Sequence, residues 1–188
     1  KPAMALKITV STVLDTARLK YELGEHLEVD SRGIHAFIIG EHGDSEIAAW
    51  SSANVSGIPI NTFCEMRGHH NHSAAMEEIA EKVKNSAYEI IAKKKATYYG
   101  IGMALSRLVK AVLDNENSIL TVSTYLKDGE YGQDDIYIGV PAVINKGGVR
   151  ELLDIDLNEK EQAKLDNSCK LIKQMRETSI DEIINRKD

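Results

Sequence analysis

Between residues 73 and 143 the spacing of apolar residues changes from three or four to two, and this switch constrains the fold more than any other feature of the sequence. From Ser73 to Lys95, Ile79, Val83, Ala87, Ile90 and Ile91 fall on one helical face. Glu77 and Glu78 lie near the start of this stretch and Lys93 to Lys95 near its end, the order the helix dipole favours. A second helix is predicted over residues 98–114, carrying Ala104, Leu105, Leu108 and Val112. The pattern then alternates through 118–126 and 135–143, segments rich in Val, Ile, Thr and Tyr. Asp128-Gly129 and Gly132 lie between them, which predicts an antiparallel hairpin. A further hairpin is predicted around Gly147-Gly148, joining 143–145 to 149–153. Asn158 with Glu161 resembles a capping box, opening a last helix that runs to about Asn185.

Upstream, residues 5–10 alternate like a short strand, and a helix is predicted over 13–27 with Gly24 as its bend or end. Residues 34–40 read as one mostly buried strand, 40–45 as a loop at its end, and Ser56 to Pro59 as a turn. Helices, a meander and a last helix in this order indicate an α+β domain with antiparallel strands. The 188 residues suffice for one ordinary domain. A net charge of −6 with scattered basic residues speaks against nucleic acid as a partner. No apolar run is long enough to span a membrane, and no leader pattern is visible, so the expectation is a cytoplasmic protein. Cys64 and Cys169 make neither a disulfide framework nor a zinc spacing.

The segment Gly40-Glu41-His42-Gly43-Asp44-Ser45 stands out chemically. A histidine between two glycines at a strand end can be reached by a small substrate, and its imidazole titrates near neutrality. On its own it reads equally as a turn with an incidental histidine. Asp15 and Arg18 project from one helix face. They read either as a surface ion pair or as two separate devices, a carboxylate that orients a histidine and a guanidinium that grips a planar anion. His69, His70 and His72 are dense in sequence but lack a metal-ligand spacing, so no metal is expected. Gly100-Ile101-Gly102 starts like a dinucleotide fingerprint, yet Leu105 takes the third glycine position and the segment lies in a helical pattern.

Taken together, residues 13–19 (Val-Leu-Asp-Thr-Ala-Arg-Leu), 40–45, 96–102 (Ala-Thr-Tyr-Tyr-Gly-Ile-Gly) and 137–142 (Tyr-Ile-Gly-Val-Pro-Ala) closely resemble the bacterial L-lactate dehydrogenase family. The resemblance runs in order from about Val13 to about Ser179. It implies the family's C-terminal catalytic domain over residues 13–188, NAD as cofactor, pyruvate and lactate as substrates, and a homotetramer. Carried onto these residues, it makes His42 the proton donor to the pyruvate carbonyl and Asp15 its partner. Arg18 would bind the substrate carboxylate, and Thr97 would line the pocket. Lys20 and His35 match positions that bind fructose 1,6-bisphosphate in activated members, where the first is often arginine. A lysine keeps the charge but loses the planar fork. Malate and branched-chain 2-hydroxyacid dehydrogenases are the nearest alternatives, and a catalytically incompetent assembly module is the alternative outside enzymes.

The resemblance also exposes what the sequence lacks. The family's Rossmann half, with its Gly-rich turn, ribose-binding acid and mobile substrate loop, has no counterpart, so the cofactor-binding residues are unknown. Residues 1–12 read as the tail of a tag, Lys-Pro-Ala-Met, followed by the expected first Rossmann strand. Either the sequence joins two stretches of a longer protein or the intervening segment is deleted. The first is preferred, because both flanks match the family up to the join. The 188 residues alone are expected to be inactive, since hydride transfer needs a cofactor held beside His42.

Overall fold

A computed structural model describes residues 12–185, so the predicted strand at 5–10 and the boundary drawn at residue 12 lie outside or at the edge of what it shows. The first helix, α1, spans Val13–Leu27 and buries Leu19, Leu23 and Leu27 completely. It ends at Glu28 in the left-handed conformation, not at Gly24. Gly24 has a different role: a Cβ there would stand 2.9 Å from the carbonyl oxygen of Val29, so the chain turns back over it only because it is glycine.

The single strand predicted over 34–40 is divided. Ile34–His35 (β1) pairs with Asn54–Val55 (β4), which pairs in turn with Ile58–Pro59 (β5). Ile38–Ile39 (β2) pairs with Ile47–Ala48 (β3). The break falls where the partner strand changes, from β4 to β3, and Thr16 Oγ1 of α1 accepts a hydrogen bond from the Ile38 backbone at 2.9 Å on the side of β2 away from β3. A short helix that the periodicity does not predict, α2 (Ile60–Met66), follows Pro59 and buries Ile60 and Cys64.

The long helices form where the spacing places them, as α3 (His72–Lys94) and α4 (Tyr98–Leu113). Only the first half of the α3 stripe is core: Met76, Ile79 and Val83 are buried, whereas Ile91 is exposed. In α4, Ala104, Leu108 and Ala111 are buried, while Tyr98, Tyr99, Met103, Leu105 and Leu113 on the other faces are exposed.

The meander consists of β6 (Ser118–Leu126), β7 (Ile136–Asn145) and β8 (Gly148–Leu152), antiparallel throughout. The β6–β7 register runs from Ser118 opposite Ile144 to Leu126 opposite Ile136, and a bulge interrupts β7–β8 between Val143 and Ile144. The last helix, α5 (Glu159–Asn185), opens on the predicted capping box. Asn158 Oδ1 accepts from the backbone of Glu161 at 3.0 Å, and Glu161 Oε2 accepts from the backbone of Asn158 at 3.1 Å.

Three apolar clusters hold these parts. One packs α1 against α2 and α3, a second packs β2 and β3 against β7 and α5, and a third packs α4 on the inner face of β6 and β7. The first turn of α1, the end of β2 and the loop after it lie where the clusters meet. A helix, a sheet and a loop therefore fix one small region from three sides.

Candidate functional site

The loop after β2 is held at its first residue. Gly40 has φ of +94°, and a Cβ there would lie 2.8 Å from Ile47 Cδ1 and 3.1 Å from Ser168 Oγ. Glycine supplies both the backbone conformation and the space. Ser168 on α5 extends the anchorage, since its hydroxyl accepts from the Glu41 backbone at 2.9 Å and lies 2.9 Å from Ser45 Oγ. Ser45 also donates to Glu41. The loop is thus tied to itself and to α5, and His42 stands at its apex with about half of its side chain exposed.

From α1, Asp15 reaches the same point. Its side chain is only 4% exposed, and it divides its two oxygens between two cations or potential cations. Oδ1 accepts from Arg18 Nη1 at 2.9 Å, and Oδ2 lies 2.8 Å from His42 Nδ1. With Nδ1 facing the Asp15 carboxylate, Nε2 is the ring nitrogen left to meet a substrate. The Asp15 carboxylate beside Nδ1 raises the His42 pKa above the ordinary imidazole value, and partial burial opposes the rise. Arg18 is mostly buried, and among the described residues Nη1 is its only side-chain donor engaged. The rest of its fork is available for an anion.

This arrangement can hold a proton on a half-exposed imidazole and grip a carboxylate beside it. Asp15, His42 and Glu46 are the one group of metal-ligand types that converge among the described residues, within 4.8 Å of one another. Arg18, already bonded to Asp15, places a positive charge against any cation that would enter.

The other predicted residues separate into two places. Thr97 is the half-buried residue that precedes α4. The first turn of α4 abuts the start of α1, where a Cβ on Gly100 would lie 3.0 Å from Leu14, the neighbour of Asp15. Lys20 and His35 do come together, in a cavity of about 340 Å³ between α1, β1 and β6 that Arg107 also lines. Burial lowers the Lys20 pKa. The histidine-rich segment forms a different contact, with the His69 ring 4.8 Å from that of His26 and His72 Nδ1 3.3 Å from the His69 carbonyl oxygen.

A model of the lactate/malate dehydrogenase α/β C-terminal domain matches residues 12–183. The chain belongs to the lactate/malate dehydrogenase family. L-lactate dehydrogenase 2 of Bacillus anthracis is 50% identical over 163 residues, 87% of this chain and 51% of the relative. The L-lactate dehydrogenase of Bacillus caldolyticus is 50% identical over 162 residues, 86% of this chain and 50% of the relative. Among solved structures, MGS-M5, a lactate dehydrogenase from a Medee basin deep-sea metagenome library, superposes with a TM-score of 0.84 at 48% identity. That match covers 89% of this chain and 53% of the other. The minor L-lactate dehydrogenase of Enterococcus mundtii in its ligands-bound form gives 0.84 at 46% identity, with 91% and 54% covered. The chain therefore spans about half the length of the lactate dehydrogenases it matches.

Within the family's C-terminal domain, two contributors to the site give no signal in the sequence. Ser168 carries no motif, because its relevance comes from α5 crossing the loop 127 residues away in sequence. Glu46 directly follows Ser45, but a lone glutamate after a polar loop gives no sign that its carboxyl will be buried. No described helix is long and apolar enough to cross a membrane.

Proposed function

We propose that this chain is the catalytic and substrate-binding half of an NAD-dependent L-lactate dehydrogenase that interconverts pyruvate and L-lactate. The observation that carries the proposal is the division of the Asp15 carboxylate between Arg18, at 2.9 Å, and His42, at 2.8 Å. A 2-oxoacid has a carboxylate next to its reacting carbonyl. The open part of the Arg18 fork takes the carboxylate and so directs the carbonyl toward His42. As the carbonyl oxygen gains negative charge, His42 gives it the Nε2 proton, and in the oxidative direction it takes that proton back. Asp15 keeps the imidazolium stable enough to be present before the reaction. Thr97, before α4, would close the pocket on the remaining side.

The described residues do not build a dinucleotide cradle. Gly100 and Gly102 lie inside α4 rather than after a strand, and Leu14 occupies the space beside Gly100. In this reading the nicotinamide that supplies hydride is held outside the described residues, and these 188 residues alone are inactive. Lys20 and His35, with Arg107, line an anion-compatible cavity, which supports fructose 1,6-bisphosphate as effector; a homotetramer and a cytoplasmic location follow from the same family reading.

The test has two parts. Pyruvate-dependent NADH oxidation, with and without fructose 1,6-bisphosphate, is measured on material whose intact mass is recorded. The expected result is turnover only at a mass well above 20.8 kDa, falling at least about a hundredfold in His42→Asn. On the 188-residue chain, titration with oxamate, an isostere of pyruvate, is followed by NMR. The expected result is perturbation of His42 and Arg18 signals that Arg18→Gln abolishes. A chain that leaves those signals unmoved, or turnover that survives His42→Asn, overturns the reading.

A further inference from the structure

Among the described residues, Glu46 is the acidic side chain that converges on the Asp15–His42 pair and has no part in the proposed proton transfer. It follows the anchored loop and leads into β3, and its carboxyl turns inward. Oε1 is buried and has no hydrogen-bond partner. The carboxyl comes within 4.8 Å of both Asp15 and the His42 ring. On its other side is a cavity of about 250 Å³ whose walls include Ile38, Ile47, Trp50 and Ala80. A charge on this carboxyl would stand within 4.8 Å of the Asp15 carboxyl, at short range for like-charge repulsion.

We propose that Glu46 is a positioning residue that holds a proton against Asp15 and, by releasing it, raises the proton affinity of His42. The proposal rests on His42 being the proton donor, and it adds a second proton store coupled to the first. While Glu46 is neutral, Asp15 serves Arg18 and His42 without competition. Once Glu46 ionises, two negative charges face one imidazole, and His42 keeps its proton to higher pH. Burial and the neighbouring Asp15 charge push the Glu46 carboxyl up to about 8, and Glu46 is itself among the charges that raise His42.

The other charged groups around Glu46 are few. Arg18 on α1 favours its ionised form. Across the two cavities that Glu46 lines stand Glu77, Glu81 and Lys84 of α3, Lys164 of α5 and Asp44 of the loop, three acids and two bases. The charges that act on Glu46 at close range are those of Asp15, His42 and Arg18. Two sites that interact in this way release their protons in steps that belong to the pair.

The test is an NMR titration of the 188-residue chain, following the His42 ring and the Glu46 carboxyl carbon between pH 4 and pH 10, in the native chain and in Glu46→Gln. In the native chain the Glu46 carboxyl is expected to titrate well above the ordinary glutamate range, and the His42 ring to follow a curve broader than one proton. In Glu46→Gln the ring is expected to follow a single-proton curve with its midpoint lower by about one unit, roughly tenfold in proton affinity. Gln keeps the shape of a protonated Glu, so the fold is retained, as circular dichroism checks. If the variant does not fold, the carboxyl signal of the native chain decides alone. A Glu46 that titrates between pH 4 and 5, or a His42 curve that is the same in both proteins, overturns the proposal. The titration needs no substrate, so its outcome is separate from any failure of turnover.

Discussion

Gly40 and Gly139 exchange both of their backbone hydrogen bonds, Gly40 N to Gly139 O at 2.8 Å and Gly139 N to Gly40 O at 3.0 Å. This isolated bridge fastens the start of the His42 loop to the middle of β7, the central strand of the meander. The loop that carries His42 is thereby tied to the central strand of the meander.

Replacing Gly40 with Ala sets a Cβ against Ile47 and Ser168 at a φ that side chains avoid. Gly40→Ala is expected to lose about 1–3 kcal/mol of stability, measured by urea denaturation. The same change is expected to disturb the His42 ring signal in NMR spectra, because the loop moves with its anchor.

Asp15→Asn removes the charge that His42 and Arg18 share. Weakening its hydrogen bond from Arg18 and its ion-pair contact with His42 is expected to cost about 1–3 kcal/mol. Since the folded state raises the His42 pKa, the stability due to that pair is complete below about 6.5 and fades as pH rises through the raised value. The deficit of Asp15→Asn should thus be largest near pH 6 and shrink toward that of the Arg18 contact alone at pH 9. Thermal melts across this range check the direction.

Glu46 gives a pH dependence that a neutral isostere removes. Its carboxyl binds a proton up to about 8 when folded but only to about 4.5 when unfolded, so native stability falls relative to Glu46→Gln across that window. The two proteins are expected to melt together at pH 4. At pH 8 the variant is expected to melt higher by at least about 2–4 °C, the shift that about 1 kcal/mol produces in a domain of this size.

Glu161 on α5 does more than cap its own helix. Besides the Asn158 backbone, its buried carboxylate accepts from the Ser51 backbone at 3.0 Å, tying α5 to the turn after β3. Glu161→Ala removes the acceptor of the Ser51 backbone and leaves the Asn158 backbone only its 3.3 Å bond to Ser51 Oγ, and is expected to cost about 1–3 kcal/mol. Glu161→Gln, which keeps one acceptor oxygen, should recover part of the loss in the same denaturation experiment.

The elements visible in the sequence are those whose apolar spacing is long and one-sided. Val13 to Leu27, the α3 and α4 stripes and the β6–β7 alternation each repeat often enough to define a period, and the Asn158–Glu161 box is local. The division of residues 34–40 is not legible. It follows from a change of partner, β1 pairing with β4 and β2 with β3, and no local pattern carries that information. The α2 helix is only 7 residues long, too short for periodicity to declare itself. Of the site, the residue types and order are legible, whereas the division of Asp15 between two partners, the anchoring by Ser168 and the burial of Glu46 are products of tertiary packing.

The single carboxylate of Asp15 has an implication for how this site can be altered. Because one carboxylate contacts both Arg18 and His42, the anion grip and the acid of the proposed function, substitutions at these two residues cannot be treated as independent choices. Changing the grip to admit an uncharged substrate would release an oxygen of Asp15 to the imidazole and alter its acidity at the same time. Selection, natural or in the laboratory, would meet strong epistasis here: a double substitution would not behave as the sum of its parts, and redesign of specificity would have to retune the acid in the same step.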